Sequence, residues 1–280
     1  MQFAALDGFT LHGTLYEGGA DAILIASALG VKRRYYDAFA QAAVARGFTV
    51  FTFDYRGIGE SRPSSLRGFN ASMRDWGALD LPAAIDQLKG ARSITLVGHS
   101  AGGQIPGLAA NANAIDRLVF VAAQAGYYGN YPGIHRHSIR VIWNLMPFAS
   151  RVIGYFPSRA LGLGSEDLPT GVATQWATWG RHPQYLFGFE DASRYASMNV
   201  PLLAWSFEGD WYAPPLAVDK LVEHYNSARV ERRHVSDHRV GHFGFFRRGV
   251  GEALWDETFA WLAEGARPSW PQSSAVSPGD

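Results

Sequence analysis

Ten residues constrain this chain more than any others: Ile94, Thr95, Leu96, Val97, Gly98, His99, Ser100, Ala101, Gly102 and Gly103. Three of the first four are apolar, and together they read as a buried strand. They run directly into a G-x-S-x-G pattern, with a helix-compatible segment behind it. That order predicts a strand-to-helix turn tight enough to strain the backbone at Ser100 and to expose its hydroxyl above a sheet. Gly98 and Gly102 belong there because a Cβ at either would collide with the neighbouring strand or helix. A helix starting at this turn would aim its first amides at whatever the serine attacks. A glycine-rich turn of an unrelated α/β protein could carry the same five letters. The position between strand and helix is what gives the pattern weight.

The rest of the composition mainly excludes. The 280 residues allow one large α/β domain or two small ones. Lys plus Arg equals Asp plus Glu at 25 each, so overall charge draws the chain toward neither nucleic acid nor anionic membrane. The only lysines are Lys32, Lys89 and Lys220, none in an apolar setting suited to Schiff-base chemistry. With no cysteine, thiol nucleophiles, disulfides and cysteine-held metals all drop out. The first residues lack a basic start followed by an apolar run, and no stretch reaches the roughly 18–20 apolar residues that span a bilayer. The expectation is a cytoplasmic protein acting on a small-molecule substrate, with no cofactor, metal, nucleic-acid partner or membrane insertion. Its oligomeric state is left open.

Taken in order, residues 3–16 read as a β-hairpin around Asp7 and Gly8. Strands are expected at 22–26, 48–53, 94–97, 117–122, 200–206 and 229–234, with helices at 35–46, 75–88 and 251–263. Alternation of this kind implies an α/β fold: a mostly parallel central sheet with helices on both faces. The residues from 268 onward, rich in Pro, Ser and Gly, are expected to be unstructured.

Residues 126–195 break the alternation. They make up a quarter of the chain, show no strand pattern and hold 13 of its 38 aromatic residues. This is too long for a loop, so it reads as an inserted helical cap over the carboxyl ends of the strands. Helices are expected near 138–147 and 170–180, separated by Pro147, Pro157 and Pro169. The domain reading is therefore a core of 1–125 and 196–265, the cap, and a tail of 266–280. Most cap aromatics should form the cap's own core, while some of Tyr127, Tyr128, Trp143, Trp176 and Trp179 line an apolar substrate pocket.

The G-x-S-x-G turn, the run Asp54, Arg56, Gly57, Gly59 and Ser61, the cap, and the segment Gly241, His242, Phe243 and Gly244 together resemble the α/β-hydrolase superfamily over residues 20–265. Within it the chain is similar to capped bacterial serine hydrolases of the esterase type. The resemblance implies the chain order nucleophile, acid, histidine. Ser100 is then the nucleophile, and Asp210 matches the family's acid position, with Glu208 a local competitor. His242 matches the family's histidine loop, ahead of His234 in the last strand pattern and His238 in a polar run. His135 and His137 read as surface, with no carboxylate at ligand spacing to make a metal site.

The implied chemistry is acyl transfer. His242 would take the proton of Ser100, and Asp210 would fix the imidazole's tautomer and stabilise its charged form. The oxyanion would be held by the amide of Ala101 and by one from the loop after the strand at 22–26. The family often has His-Gly-x in that loop, whereas this chain has Ser27, Ala28, Leu29 and Gly30. Leu29 is the expected donor, with Ala28 and Gly30 as alternatives. Asp54 and Arg56 lack a Walker lysine and read as a brace for the loop rather than a phosphate cradle.

The expected activity is a serine esterase cleaving small to medium apolar acyl groups, with longer or aromatic acyl groups preferred over acetate. A thioesterase, acyltransferase, C–C bond hydrolase or peptidase could use the same triad. A non-catalytic ligand-binding protein could share the fold.

Overall fold

The structure, a computed structural model, describes residues 1–264; the tail expected at 266–280 lies outside them. The centre is an eight-stranded sheet: β1 (Gln2–Ala4), β2 (Thr10–Tyr16), β3 (Asp21–Ala26), β4 (Phe48–Asp54), β5 (Ser93–His99), β6 (Arg117–Val121), β7 (Pro201–Phe207) and β8 (Arg229–Val235). The spatial order is β1-β2-β4-β3-β5-β6-β7-β8. β1 and β2 form the predicted hairpin, with Gly8 at φ +83°, and β2 runs antiparallel to β4. All other neighbours pair in parallel. β3, β5, β6 and β7 are buried almost from end to end. Such strands must be covered on both faces, which explains their continuous rather than alternating apolar pattern.

Register places the chemistry. Ala26 pairs with Gly98 and His99 with Val121, so the loop after β3, the serine turn after β5 and the end of β6 emerge side by side. Ligands of open parallel sheets bind at such carboxyl ends.

Three helices depart from expectation, each for a readable reason. No α-helix follows β5; Ser100–Gly103 and Pro106–Leu108 are single 3₁₀ turns. Gly102 and Gly103 are poor helix formers, and Pro106 disfavours helical backbone at Ile105. The amide field expected from a full helix is therefore absent. The helix over residues 73–86 opens earlier than expected, on a capping box between Ser72 and Asp75. In the insertion, Gly133–Ile153 is one helix that continues through Pro147, although a proline interior to a helix usually ends it. Pro147 cannot donate to the carbonyl of Trp143. Arg181 Nη1 donates there instead, at 2.7 Å. Arg181 closes the second long helix inserted between β6 and β7, Thr170–Arg181, so the substitution also joins the pair.

Phe156 and Leu168 form an isolated antiparallel bridge that pins the loop between the two cap helices. The final helix, Glu252–Glu264, packs on the helix Asp37–Val44. Among the described residues no helix is long and apolar enough to cross a membrane, and no group of three His, Cys, Asp or Glu could hold a metal ion.

Candidate active site

Ser100 sits at φ +50° directly after β5, in the left-handed region that L side chains rarely adopt. Glycine neighbours make the turn possible. A Cβ on Gly98 would lie 2.6 Å from the Gly103 Cα, and one on Gly102 would lie 2.0 Å from the carbonyl oxygen of Ala26. Ser100 is 5% exposed. The turn alone suggested an open hydroxyl, but the folded chain buries this residue.

Asp210 and His242 meet across 32 residues. His242 Nδ1 lies 2.8 Å from Asp210 Oδ2, with both side chains buried. The other carboxylate oxygen, Oδ1, accepts the backbone N–H groups of Tyr212 at 2.9 Å and Ala213 at 3.0 Å. An ionised carboxylate only accepts, so the imidazole proton sits on Nδ1 and the Nε2 lone pair is left available. His242 itself lies in a single helical turn, Gly241–Gly244, shortly before the last helix.

A second histidine, not anticipated from the sequence, organises this centre. His99 is fully buried, and its Nε2 lies 2.9 Å from the carbonyl oxygen of His242. That oxygen can only accept, so Nε2 carries the proton and Nδ1 accepts from the Tyr36 hydroxyl at 3.0 Å. Tyr36 Oη in turn accepts the Ala28 backbone N–H at 2.8 Å. Burial, with His242 close by, holds the His99 imidazole down at about 3, so it is neutral at ordinary pH. One directed chain of hydrogen bonds thus joins the loop after β3, the end of β5 and the His242 turn. Phe246 packs edge-on to Tyr36 and against His99, and Tyr35 donates its hydroxyl to the Phe243 carbonyl. The sequence signal was the aromatic pair Tyr35 and Tyr36 facing the aromatic run after His242.

The same chain of hydrogen bonds bears on the expected oxyanion donor. The Ala28 amide is committed to Tyr36, which leaves Leu29 and Gly30 of the three candidates. Leu29 lines an apolar cavity; Gly30 accepts a hydrogen bond from Ser165 at its carbonyl and sits at φ +66°. Ala101, the other expected donor, lies in the turn beside Ser100.

The competing acid and base pair with each other. His234 Nε2 lies 3.1 Å from Glu208 Oε2 at the surface, and its Nδ1 lies 3.0 Å from Ser206 Oγ. Ser206 is buried within β7 in regular strand backbone, so no turn presents its hydroxyl. His238 is exposed on the loop before Val240. Asp54 accepts the backbone N–H groups of Arg33 at 2.7 Å and Glu60 at 3.0 Å. Arg56 is gripped by Asp80 and Asp7, at 2.8 Å each, leaving no cationic cradle there.

A narrow apolar cavity of about 40 Å³ reaches toward this centre at Tyr212. Trp143 and Trp176 from the cap line it, packed edge-to-face at 4.5 Å. Leu29 and the unanticipated Trp211 and Tyr212 also line it. The Tyr212 ring stands 5.0 Å from that of His242. Their signal was their place directly after Asp210, in the acid's own loop. The other three expected pocket residues lie elsewhere. Trp179 is core, 1% exposed against Tyr185, because its helix turns it inward. Tyr127 and Tyr128 pack on each other with their rings tilted and 4.6 Å apart, half-buried at the start of the insertion. Trp176 Nε1–H donates to Tyr185 Oη and the Tyr185 hydroxyl to Gln104 Oε1, both at 2.8 Å, tying the pocket wall to the segment behind Ser100.

Residues 11–267 match the profile of the alpha/beta hydrolase family. The chain belongs to that family. Solved structures of similar fold include an esterase from Exiguobacterium antarcticum, 16% identical, with 94% of this chain and 99% of that one covered and a TM-score of 0.64. A thermophilic esterase from Thermogutta terrifontis is 17% identical, with 94% and 98% covered and a TM-score of 0.61. The α/β hydrolase GrgF from Penicillium sp. sh18 is 16% identical, with 94% and 97% covered and a TM-score of 0.64. No curated protein sequence matches the chain. At these identities the likeness concerns the fold of this α/β hydrolase, and its chemistry rests on its own residues.

Proposed function

We propose that this α/β hydrolase is a serine esterase that cleaves carboxylic esters of small to medium apolar acyl groups through an acyl-enzyme on Ser100. The observation that carries the reading is the buried Asp210–His242 hydrogen bond, which leaves Nε2 as a base.

In the proposed reaction His242 Nε2 takes the Ser100 proton as Oγ bonds to the ester carbonyl carbon. The tetrahedral oxyanion is held by the amides of Ala101 and Leu29. The imidazolium then protonates the leaving alkoxide as the C–O bond breaks. Water, deprotonated by the same nitrogen, attacks the acyl carbon; the bond to Oγ breaks, the imidazolium returns its proton to Oγ, and the acid leaves. The apolar lining of the cavity supports an acyl group as the buried moiety.

Labelling by an alkyl fluorophosphonate tests this. The intact chain gains one adduct at Ser100 and turns over p-nitrophenyl butyrate. Ser100→Ala loses both. Turnover that survives the substitution would rule the reading out.

A further inference from the structure

Of the surfaces the proposed reaction does not use, the outer face of the first cap helix stands out. Ile134, Val141, Leu145, Phe148 and Val152 are all large, apolar and 54–71% exposed. They fall within about 40° of one line along Gly133–Ile153 at 100° per residue. Ile139, Trp143 and Met146, on the opposite face, are buried over the cavity. A contiguous exposed stripe of this size on a folded domain marks a contact surface.

Charge selects the partner. Residues 126–165 contain Arg136, Arg140, Arg151 and Arg159, no lysine and no acid. The neutral balance of the whole chain conceals this local excess. Arg140 and Arg151 lie along one flank of the stripe, and Arg140 sits over the Tyr128 ring. A second copy pairing through this helix would bring its arginines no acid to pair with. A cationic amphipathic helix that cannot span a bilayer suits an anionic lipid surface, with the apolar stripe in the acyl boundary and the arginines at the headgroups.

We infer that the outer face of Gly133–Ile153 docks this protein on anionic membrane, with the helix lying in the interface. This goes beyond the esterase reading and stands without it. If both hold, the docked face is the back of the cavity's own ceiling, and lipophilic esters would meet the site from the bilayer.

The test is sedimentation of the full chain with phosphatidylcholine vesicles containing about one-third phosphatidylglycerol. Pure phosphatidylcholine vesicles serve as the comparison. Retention on the anionic vesicles is expected to be at least about tenfold stronger and to weaken as salt rises from about 0.1 to 0.5 M. L145E combined with F148E should lower it at least about tenfold. R140Q combined with R151Q should lower it about tenfold and flatten the salt dependence. Wild-type thermal melts in both variants exclude misfolding as the cause. Two results would overturn the inference: equal retention on both lipids, or no retention at low salt, which together with a dimer that L145E and F148E dissolve would assign the stripe to a second copy.

Discussion

His99 reaches from the end of β5 to the carbonyl oxygen of His242, 2.9 Å away, so the residue before the serine holds the main chain of the proposed base. His99→Ala leaves that carbonyl without its buried donor, which costs about 1–3 kcal/mol, and frees the His242 turn to shift. We expect kcat to fall at least about tenfold with KM nearly unchanged. His99→Gln can place its amide nitrogen near Nε2 and should recover much of the loss. Equal damage from both substitutions would mean that packing matters and the hydrogen bond does not.

The same residue makes stability depend on pH. His99 titrates near 6.5 when unfolded and at about 3 when folded. Between those values the unfolded chain binds the proton and the native chain does not. The stability is therefore complete above about 6.5 and is lost as pH falls toward 3. His99→Gln should lower the pH of half-unfolding by about one unit relative to its own neutral-pH stability. Denaturant midpoints measured from pH 7 to 4 would show it.

Asp210→Asn preserves an oxygen for the amides of Tyr212 and Ala213, so the loop should keep its shape. Its amide can donate to Nδ1, which would move the imidazole proton to Nε2 and remove the base. Turnover should fall about 10³–10⁴-fold with the melting temperature nearly unchanged. Steady-state kinetics beside a thermal melt separates the two effects.

Gly102→Ala places a methyl group 2.0 Å from the Ala26 carbonyl oxygen, against backbone that cannot yield cheaply. The turn must open, so fluorophosphonate labelling of Ser100 should slow by about 10²-fold or more, and stability should drop by about 1–3 kcal/mol. Labelling rate and urea midpoint are the readouts.

Trp176→Ala removes a wall of the narrow cavity. Activity across a C2 to C12 acyl series should shift toward longer chains, with C8 gaining at least about threefold on C4. The loss of packing on Trp143 should cost about 2–3 kcal/mol. An unchanged chain-length profile would place the acyl group elsewhere.

The sheet was legible because β3, β5, β6 and β7 are short apolar runs whose neighbours can only be other strands. The order of Ser100, Asp210 and His242 came from the resemblance to the α/β-hydrolase family; of the three, the structure joins Asp210 to His242 directly. His99 was passed over because its role depends on β5 lying beside the His242 turn, 143 residues further along the chain. Pro147 looked like a stop because Arg181, which repairs its lost hydrogen bond, sits 34 positions away. Trp179 looked like its neighbours Trp143 and Trp176 because aromatic content does not reveal which side of a helix faces a cavity. The absence of a helix after Ser100 could have been read from Gly102, Gly103 and Pro106, which all disfavour one.

The bond from Arg181 to the Trp143 carbonyl has a mechanical consequence. Prying the two helices apart at that level would strip that oxygen of its Arg181 donor, which Pro147 cannot replace. Swinging the pair as one piece about its attachments, near residues 126–132 and 182–195, would admit a larger ligand with that bond intact.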